Sequence, residues 1–551
     1  TRLRRLDPTR PVIDVSGGHG FIELGGAADM LPDTASQGLT ACLTLPGNPL
    51  PQPALDAHIY HDFPLRDETW QGMRTTGSGS ALFFVSEYGA PPVPPDFEGV
   101  LARYTPEERT LGLEDYVLHR DFLASLRAHL RHPAPASLFP TPAAWTEAAN
   151  RERAEEMRLV TTALRSNRHL AGYCFCQWAD ASGELFGAVD AWRRPKPLLD
   201  ALIESSSPGA LGLFAWPRVA APGQTVSVDL VAFEGAPASR QGTGPGKAKT
   251  SWTLALKDSG GRKVRRWKGT LGKAAPHFEP KRLWKGKVPL PAVPGSYLLQ
   301  AECRTPAGPF AQGRIAIEVL PSPASALSDR SLPVAVGGEA SRLAPRLRKL
   351  GLATVPYGNN FREIESPVFL DLSGPPLHRL SQLELIGQLR KVLHVGGCAV
   401  LFEPEMLLLG EQLVGAPVRM EPLMRPVGYT VDHPAFDGMR KGIAGFPYAS
   451  VQPEKFDRVA DIDALGGRIL YGGISMNMWT RPAAFQHGAA LYSLPVGRGT
   501  LIVCHLRILH TPPEDRAAQL LLANLVRHAF ASIRPGKTDV LLGRCIDPLP
   551  A

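Results

Sequence analysis

Glu87 is the side chain whose sequence context points most directly to chemistry. It follows Ala81–Ser86 (ALFFVS), an apolar run typical of a strand covered on both faces, and it precedes a Tyr-Gly-Ala-Pro-Pro loop segment. A carboxylate at the end of such a strand lies at the mouth of a β/α barrel rather than in its core. Retaining glycosidases use two carboxyl groups about 5 to 5.5 Å apart, one of which attacks the anomeric carbon. Glu87 is therefore a candidate nucleophile.

Four further side chains lie close to predicted strand ends. His58 and Tyr60 belong to Asp-Ala-His-Ile-Tyr, and Trp178 and Asp180 follow the apolar run AGYCFCQ. An indole face gives the C–H groups of a sugar ring an apolar platform, and the polar groups can hydrogen-bond its hydroxyls. A histidine at an inward strand position is equally often structural, and Asp180 can instead cap the following turn.

Residues 1–205, the N-terminal region, alternate short apolar runs with helical patterns, which predicts βα units around a parallel sheet. The clearest helical pattern covers residues 141–167 and follows a proline-rich loop. The predicted strands are Pro11–Val15, His58–Tyr60, Ala81–Ser86 and Ala171–Gln177.

The order of these motifs resembles glycoside hydrolase family 2, which groups β-galactosidases, β-glucuronidases and β-mannosidases. The resemblance is to strands five to eight of that family's (β/α)8 TIM barrel, followed by its Arg-x-Lys-Pro ending. The matching segments are Leu6–Val12 (LDPTRPV), Asp56–Tyr60 (DAHIY), Ser86–Gly89 (SEYG), Gly172–Asp180 (GYCFCQWAD) and Arg193–Pro197 (RRPKP).

The resemblance implies roles for the five side chains. Glu87 would be the nucleophile, and Tyr60 would orient its carboxylate. Trp178 would lie under the sugar ring, while His58 and Asp180 would contact hydroxyls, although both keep their structural alternatives. The implied substrate is a β-linked oligosaccharide or glycoside, and this chemistry requires no cofactor.

One part of the family pattern is missing from residues 1–205. The family's acid/base is a glutamate that follows an asparagine at the end of strand four, and no Asn-Glu pair occurs in this range. The chain also begins without methionine, so we expect it to be a fragment whose acid/base lies before Thr1. A half barrel leaves an open sheet edge and is expected to be unstable alone. The alternative function is a non-catalytic carbohydrate-binding or assembly protein with a degenerate barrel.

The rest of the chain predicts two more domains. Residues 206–321, the sandwich region, alternate with period two and predict an Ig-like β-sandwich. Residues 322–551, the C-terminal region, predict a doubly wound, flavodoxin-like α/β domain. Its segment Val395–Val400 resembles class I glutamine amidotransferase-like domains. Because Cys398 and Cys504 lie in apolar runs rather than at a strained elbow, we expect this domain to be non-catalytic, with a role in assembly or in shaping the active-site entrance. An active amidotransferase is a third, weaker hypothesis.

Charge and cysteine content narrow the function classes. The net charge of +8 is spread over 60 basic and 52 acidic residues, which gives little reason to expect nucleic-acid binding. The basic segment Lys247–Lys287 carries Trp252, Trp267 and Trp284, whose alternate strand positions favour packing in the core.

The seven cysteines show no zinc-ligand spacing, so no metal is predicted. Their single positions in apolar runs indicate a reduced protein and slightly favour the cytoplasm, although the compartment stays open. No stretch reaches the roughly 18 apolar residues that a membrane span needs. Self-association as a homo-oligomer stays open.

Overall fold

The computed structural model describes residues 12–13, 22–23, 40–44, 52–61, 64–76, 82–89, 92–181, 183–207, 209–233, 251–270, 280–305, 308–327, 333–337, 342–357, 365–374, 379–404, 410–477 and 483–534. It is a mixed α/β protein with four sheets. Among the helices in these ranges, none is both long and apolar enough to cross a bilayer.

The N-terminal region contains one six-stranded sheet. Its strands are β1 Val12–Ile13, β2 Ile22–Glu23, β3 Thr40–Thr44, β4 Gln52–Tyr60, β5 Leu82–Gly89 and β6 Leu170–Phe175. Strands β4, β5 and β6 are parallel neighbours, as the motif order predicts for barrel strands six to eight. Their buried side chains include Ile59, Phe83 and Val85, which explains the apolar runs.

The start of this sheet differs from the prediction of consecutive parallel strands. Strand β3, which was not predicted, pairs antiparallel with both β1 and β4. The predicted strand-five segment therefore forms β1 at the sheet edge, two places from β4. An antiparallel pair needs only a short connection between its strands, whereas parallel neighbours need a crossover. The described strands form an open sheet rather than a closed barrel.

The helices of this region pack beside the sheet. They are α1 Asp67–Met73, α2 Phe97–Leu101, α3 Pro106–Leu111, α4 Glu114–His129, α5 Pro133–Ala136, α6 Pro142–Arg165 and α7 Pro197–Ser206. Helix α6 begins where Thr141 accepts a hydrogen bond from the backbone N–H of Ala144, with Pro142 in the first turn. These local signals agree with the helix predicted over residues 141–167.

The sandwich region consists of two facing sheets. Its strands are β7 Leu211–Trp216, β8 Val219–Ala220, β9 Thr225–Ala232, β10 Ser251–Lys257, β11 Lys263–Thr270, β12 Lys281–Pro289, β13 Gly295–Thr305 and β14 Gly308–Val319. One sheet has the order β11-β10-β13-β14-β8 and the other β12-β9-β7. Trp252 is buried, and Trp267 and Trp284 pack against the same core. The three tryptophans of the basic segment thus pack in or against the interior of the sandwich.

The C-terminal region is built on one ten-stranded sheet. Its strands are β15 Val334–Gly337, β16 Thr354–Pro356, β17 Val368–Asp371, β18 Cys398–Phe402, β19 Val427–Thr430, β20 Ile443–Ala444, β21 Asp457–Arg458, β22 Arg468–Asn477, β23 Ala484–Val496 and β24 Gly499–Cys504. The parallel part runs β16-β15-β17-β18-β24, which is the flavodoxin-like order 2-1-3-4-5. An antiparallel part, β23-β22-β19-β20, extends it, and β21 pairs with β23.

Helices cover this sheet, and its hydrophobic clusters reach beyond it. The helices are α8 Leu343–Lys349, α9 Arg379–His394, α10 Glu411–Val414, α11 Val459–Ala464 and α12 Arg516–Ala531, and short 3-10 helices span Pro323–Ala326, Pro434–Phe436 and Ala449–Val451. One core cluster joins the N-terminal sheet to the sandwich. Another joins helices α2, α4 and α6 to the C-terminal sheet. The regions therefore share buried interfaces, and the boundaries at 205 and 321 stay predictions.

Candidate active site

Glu87 lies at the carboxyl end of β5, where the backbone register pairs it with His58 of β4. The Tyr60 hydroxyl donates a hydrogen bond of 2.9 Å to Glu87 Oε2. His58 Nδ1 lies 3.3 Å from the same oxygen. The Glu87 side chain is 38% exposed, so one carboxylate is held from inside and open to solvent outside. That arrangement is what a positioned nucleophile requires.

Tyr60 is a fixed hydrogen-bond donor to this carboxylate. Burial raises the pKa of Tyr60 far above its usual value, and the neighbouring Cys176 and Glu87 raise it further. The hydroxyl consequently keeps its proton at any physiological pH and orients Glu87 without competing for charge. Its ring packs near Phe186, with centroids 6.3 Å apart.

Gly89 explains the glycine of the Ser-Glu-Tyr-Gly segment. A Cβ at this position would lie 2.4 Å from the backbone oxygen of Cys176 and 3.0 Å from Cε1 of Tyr60. Only glycine therefore lets β5 approach the end of β6 while Tyr60 keeps its place beside Glu87.

The two residues predicted after β6 have different environments. Trp178 is 62% exposed, which leaves its indole face accessible. Asp180 is buried, and its Oδ1 accepts hydrogen bonds of 2.7 Å from Lys196 Nζ and 2.9 Å from the Gly187 N–H. Burial raises the pKa of Asp180 to about 6, while the Lys196 ammonium opposes that shift. These contacts fix the Asp180 carboxylate in the interior, and its roles as a sugar ligand or as a turn cap stay predictions.

A buried polar cluster lies behind the end of β4. His61 Nε2 is 4.0 Å from Glu156 Oε2, and Glu156 Oε1 accepts a 2.8 Å hydrogen bond from the Leu65 N–H. Burial raises the pKa of Glu156 to about 8, with Glu152 adding to the shift, and raises that of Glu152 to about 7. Burial lowers the pKa of His61 to about 3. The cluster that His61 forms with helix α6 is therefore sensitive to the protonation of Glu152 and Glu156.

Arg425 brings the C-terminal region to the same place. Its guanidinium lies 5.6 Å from the centroid of the Tyr60 ring, a cation–π distance. Its backbone oxygen accepts a 3.0 Å hydrogen bond from Arg153 of helix α6. Its φ of 49° is uncommon for a residue other than glycine. A strained residue 365 positions away in sequence thus contacts the tyrosine that holds Glu87.

The two cysteines described in the C-terminal sheet lie at buried strand positions. Cys398 begins β18 and Cys504 ends β24, and both are buried. Burial raises the pKa of Cys398 to about 12 and raises that of Cys504 as well. The residue after β18 that has a positive φ, 51°, is Glu403, which lies 2.7 Å from His510 Nε2. A glutamate, rather than a cysteine, thus has the positive φ directly after β18.

The roles of the five predicted side chains stay predictions, and the structure brings Glu87, Tyr60 and His58 together. Sequence reasoning missed Cys176, Arg425 and the cluster around Glu156. No local motif marks these residues, since Arg425 and Glu156 lie on elements remote in sequence. An acidic residue inside the apolar face of helix α6 was the one available signal.

Comparisons with known proteins give partial structural likenesses. No protein-family model matches the sequence. No curated protein matches it either. A structure of exo-β-D-glucosaminidase CsxA is similar over 46% of this chain and 30% of that one, with 12% identity and a TM-score of 0.27. A β-glucuronidase of Bacteroides uniformis is similar over 61% and 30% of the two chains, with 12% identity and a TM-score of 0.20. The chain thus spans less than a third of these neighbours, and function has to be inferred from the site.

Proposed function

We propose that the protein is a retaining β-glycosidase in which Glu87 is the nucleophile. The observation that supports this best is the 2.9 Å hydrogen bond from Tyr60 to Glu87 at the carboxyl end of a parallel strand. It brings together two residues from separate motifs in the geometry that the family resemblance implies. The accessible face of Trp178 adds an apolar surface for a sugar ring.

In the proposed reaction, a Glu87 oxygen attacks the anomeric carbon and displaces the leaving group, forming a covalent glycosyl ester. Water then attacks the same carbon and releases Glu87 as a carboxylate. By the resemblance, a second carboxylic acid protonates the leaving oxygen and later deprotonates the water. Tyr60 holds the Glu87 carboxylate in its attacking orientation, and His58 either supports that orientation or contacts a sugar hydroxyl.

The C-terminal region has a proposed supporting role at this site. Arg425 lies against the Tyr60 ring and is tied to helix α6 through Arg153. Loss of this contact would free the ring edge of Tyr60 to move, so the region shapes the entrance rather than carrying its own chemistry. The buried Cys398 and Cys504 agree with that division.

The experiment that tests the proposal is covalent trapping with 2-fluoro glycosyl fluorides in the gluco, galacto, manno and glucurono series. It is performed on the purified protein. We expect one sugar to be attached to the peptide that contains Glu87 and no attachment in Glu87→Gln. Glu184→Gln, a change at an exposed glutamate, serves as the control and should still be labelled.

Labelling at another carboxylate would contradict the assignment of Glu87. Binding of sugars with no labelling and no turnover would instead support the alternative, a carbohydrate-binding protein. The exposed Trp178 favours that alternative equally, because stacking requires no nucleophile.

A further inference from the structure

Three histidines converge where helix α4 meets the C-terminal sheet. His129 ends α4, His132 directly precedes α5, and His487 lies in β23. One ring nitrogen from each lies within 4.8 Å of the other two. Three imidazoles at this separation can serve as ligands to one cation.

Each ring is held by a partner at one nitrogen. His129 Nε2 lies 2.9 Å from the Phe485 backbone oxygen, and His132 Nδ1 lies 2.5 Å from Asp463 Oδ2. His487 Nε2 lies 2.6 Å from the Tyr429 hydroxyl. Metal-binding histidines show this pattern, because a carbonyl, carboxylate or hydroxyl at one nitrogen fixes the ring and directs the other nitrogen to the metal.

The nitrogens without a partner named above are His129 Nδ1, His132 Nε2 and His487 Nδ1, and the 4.8 Å limit holds for one nitrogen of each ring rather than for these three in particular. His487 is 3% exposed, and its Nδ1 is buried with no hydrogen-bond partner among the described residues. A buried ring nitrogen without a partner costs free energy, so a ligand at this point would remove an existing penalty. His129 and His132 are only half-buried, which leaves a path for an ion to enter.

We propose that His129, His132 and His487 bind a divalent transition-metal ion, with Zn²⁺ as the best match, and so link helix α4 to strand β23. Three neutral imidazoles and one open position suit tetrahedral Zn²⁺, whereas Mg²⁺ and Ca²⁺ prefer oxygen ligands. Metal–nitrogen distances of about 2.0 to 2.1 Å require the three nitrogens to move to roughly 3.3 Å apart. The half-buried rings of His129 and His132 can supply that movement.

The ion would reinforce an interface between two regions. Ser125 of α4 already accepts a 2.9 Å hydrogen bond from the Phe485 N–H at the start of β23. The metal adds a second link one turn further along the helix. The proposal does not depend on glycosidase activity, and it stands or falls by metal binding alone.

The test uses the tag-free protein, stripped with a chelator and titrated with Zn²⁺. We expect one Zn²⁺ per chain, a Kd on the order of 1 µM or tighter, and a Tm higher by roughly 4 °C or more at about 100 times the Kd. Co²⁺ in the same site should give the intense visible absorption of four-coordinate cobalt.

Matched variants locate the ion. His132→Gln should weaken Zn²⁺ binding at least about tenfold. Asp463→Asn, which replaces the carboxylate beside His132 with an amide, should weaken Zn²⁺ binding by about 10 to 100-fold and alter the Co²⁺ absorption. His394→Gln, at an exposed histidine of α9, should bind as the parent does. Unchanged stoichiometry and affinity in His132→Gln and in the double variant His129→Gln/His132→Gln, or no binding by the parent below about 100 µM, would overturn the proposal.

Discussion

The N-terminal and C-terminal sheets both end in a glutamate that lies beside a histidine. Glu87 follows the apolar part of β5 and lies 3.3 Å from His58. Glu403 follows β18 and lies 2.7 Å from His510. Both positions are at the carboxyl edge of parallel strands, where α/β proteins place their functional groups. Position in the sheet therefore does not distinguish the two glutamates.

Their environments do distinguish them. Glu87 is 38% exposed and receives a hydrogen bond from a tyrosine that keeps its proton. Glu403 is 13% exposed, has a φ of 51°, and is already engaged by His510. A nucleophile needs an oriented oxygen with open space in front of it. The N-terminal edge meets that condition, whereas at the C-terminal edge the Glu403 carboxylate is largely buried and lies against His510.

Substitution of the two glutamates tests this contrast most strongly. Glu87→Gln should reduce kcat/KM by about 10³-fold or more, because an amide cannot form the glycosyl ester. Glu403→Gln should leave kcat/KM within about twofold, with a small loss of stability because its contact with His510 changes. Initial rates with an aryl glycoside measure both.

The azide reaction provides the control. Small anions can replace a missing carboxylate nucleophile, so azide should restore turnover in Glu87→Gln and yield a glycosyl azide of inverted configuration. Equal losses in the two variants, or no loss in Glu87→Gln, would remove the distinction between the two edges.

The buried cluster around Glu156 predicts a pH effect on stability. Burial raises the pKa of Glu156 to about 8, so the unfolded chain releases this proton before the folded chain does. The free energy of unfolding should consequently fall as pH rises from 6.5 towards 8.5, and Glu156→Gln should remove about 2 kcal/mol of that fall. Urea unfolding across this window measures it.

Measurement between pH 6.5 and 8.5 separates the effect of Glu156 on stability from that of His61. The pKa of His61 is lowered to about 3, so its effect has the opposite sign and appears below pH 6.5, where the unfolded chain gains a proton first. Glu147→Gln, at an exposed glutamate of the same helix, should leave the slope unchanged. A slope that is the same in Glu156→Gln and the parent would refute a raised pKa at Glu156.

Substitution of Tyr60 tests the same comparison with a smaller expected effect on the rate. Tyr60→Phe keeps the ring packing but removes the hydrogen bond to Glu87, and we expect kcat to fall about tenfold with KM nearly unchanged. The rate of covalent labelling should fall by a similar factor, because the attacking oxygen is no longer held in place. Tyr448→Phe, in the C-terminal core, is the matched control. An unchanged kcat and labelling rate would mean that Tyr60 does not position the nucleophile.

The sequence predicts best those elements whose signals are local. The run ALFFVS became β5, and the pattern after Thr141 became helix α6 because the cap and the proline fix its start. The pairing of His58 and Tyr60 with Glu87 also followed, since parallel strands in the predicted order bring their carboxyl ends together.

Pairings between remote segments could not be predicted. Nothing in Thr40–Thr44 signals that it would pair antiparallel with both β1 and β4. His487 lies 355 residues beyond His132, so a search for local ligand spacing missed the histidine cluster. Arg425 reaches Tyr60 only through packing of the C-terminal region on helix α6.

The smallest expected effect concerns the thiols of the C-terminal region. Burial raises the pKa of Cys398 to about 12, so almost no thiolate forms at neutral pH, and alkylating reagents react with thiolates. Brief treatment of the native protein with iodoacetamide should modify exposed Cys174 and spare Cys398 and Cys504. Peptide mass spectrometry reads out each site.

Cys398→Ala and Cys504→Ala should likewise leave glycoside hydrolysis within about twofold, because neither side chain reaches the Glu87 edge and each change leaves only a small cavity. Rapid alkylation of native Cys398 would show that the start of β18 opens in solution. Glutamine hydrolysis abolished by either substitution would show that both sheets are catalytic, and the contact between Glu403 and His510 would then be no sign that the C-terminal sheet lacks chemistry.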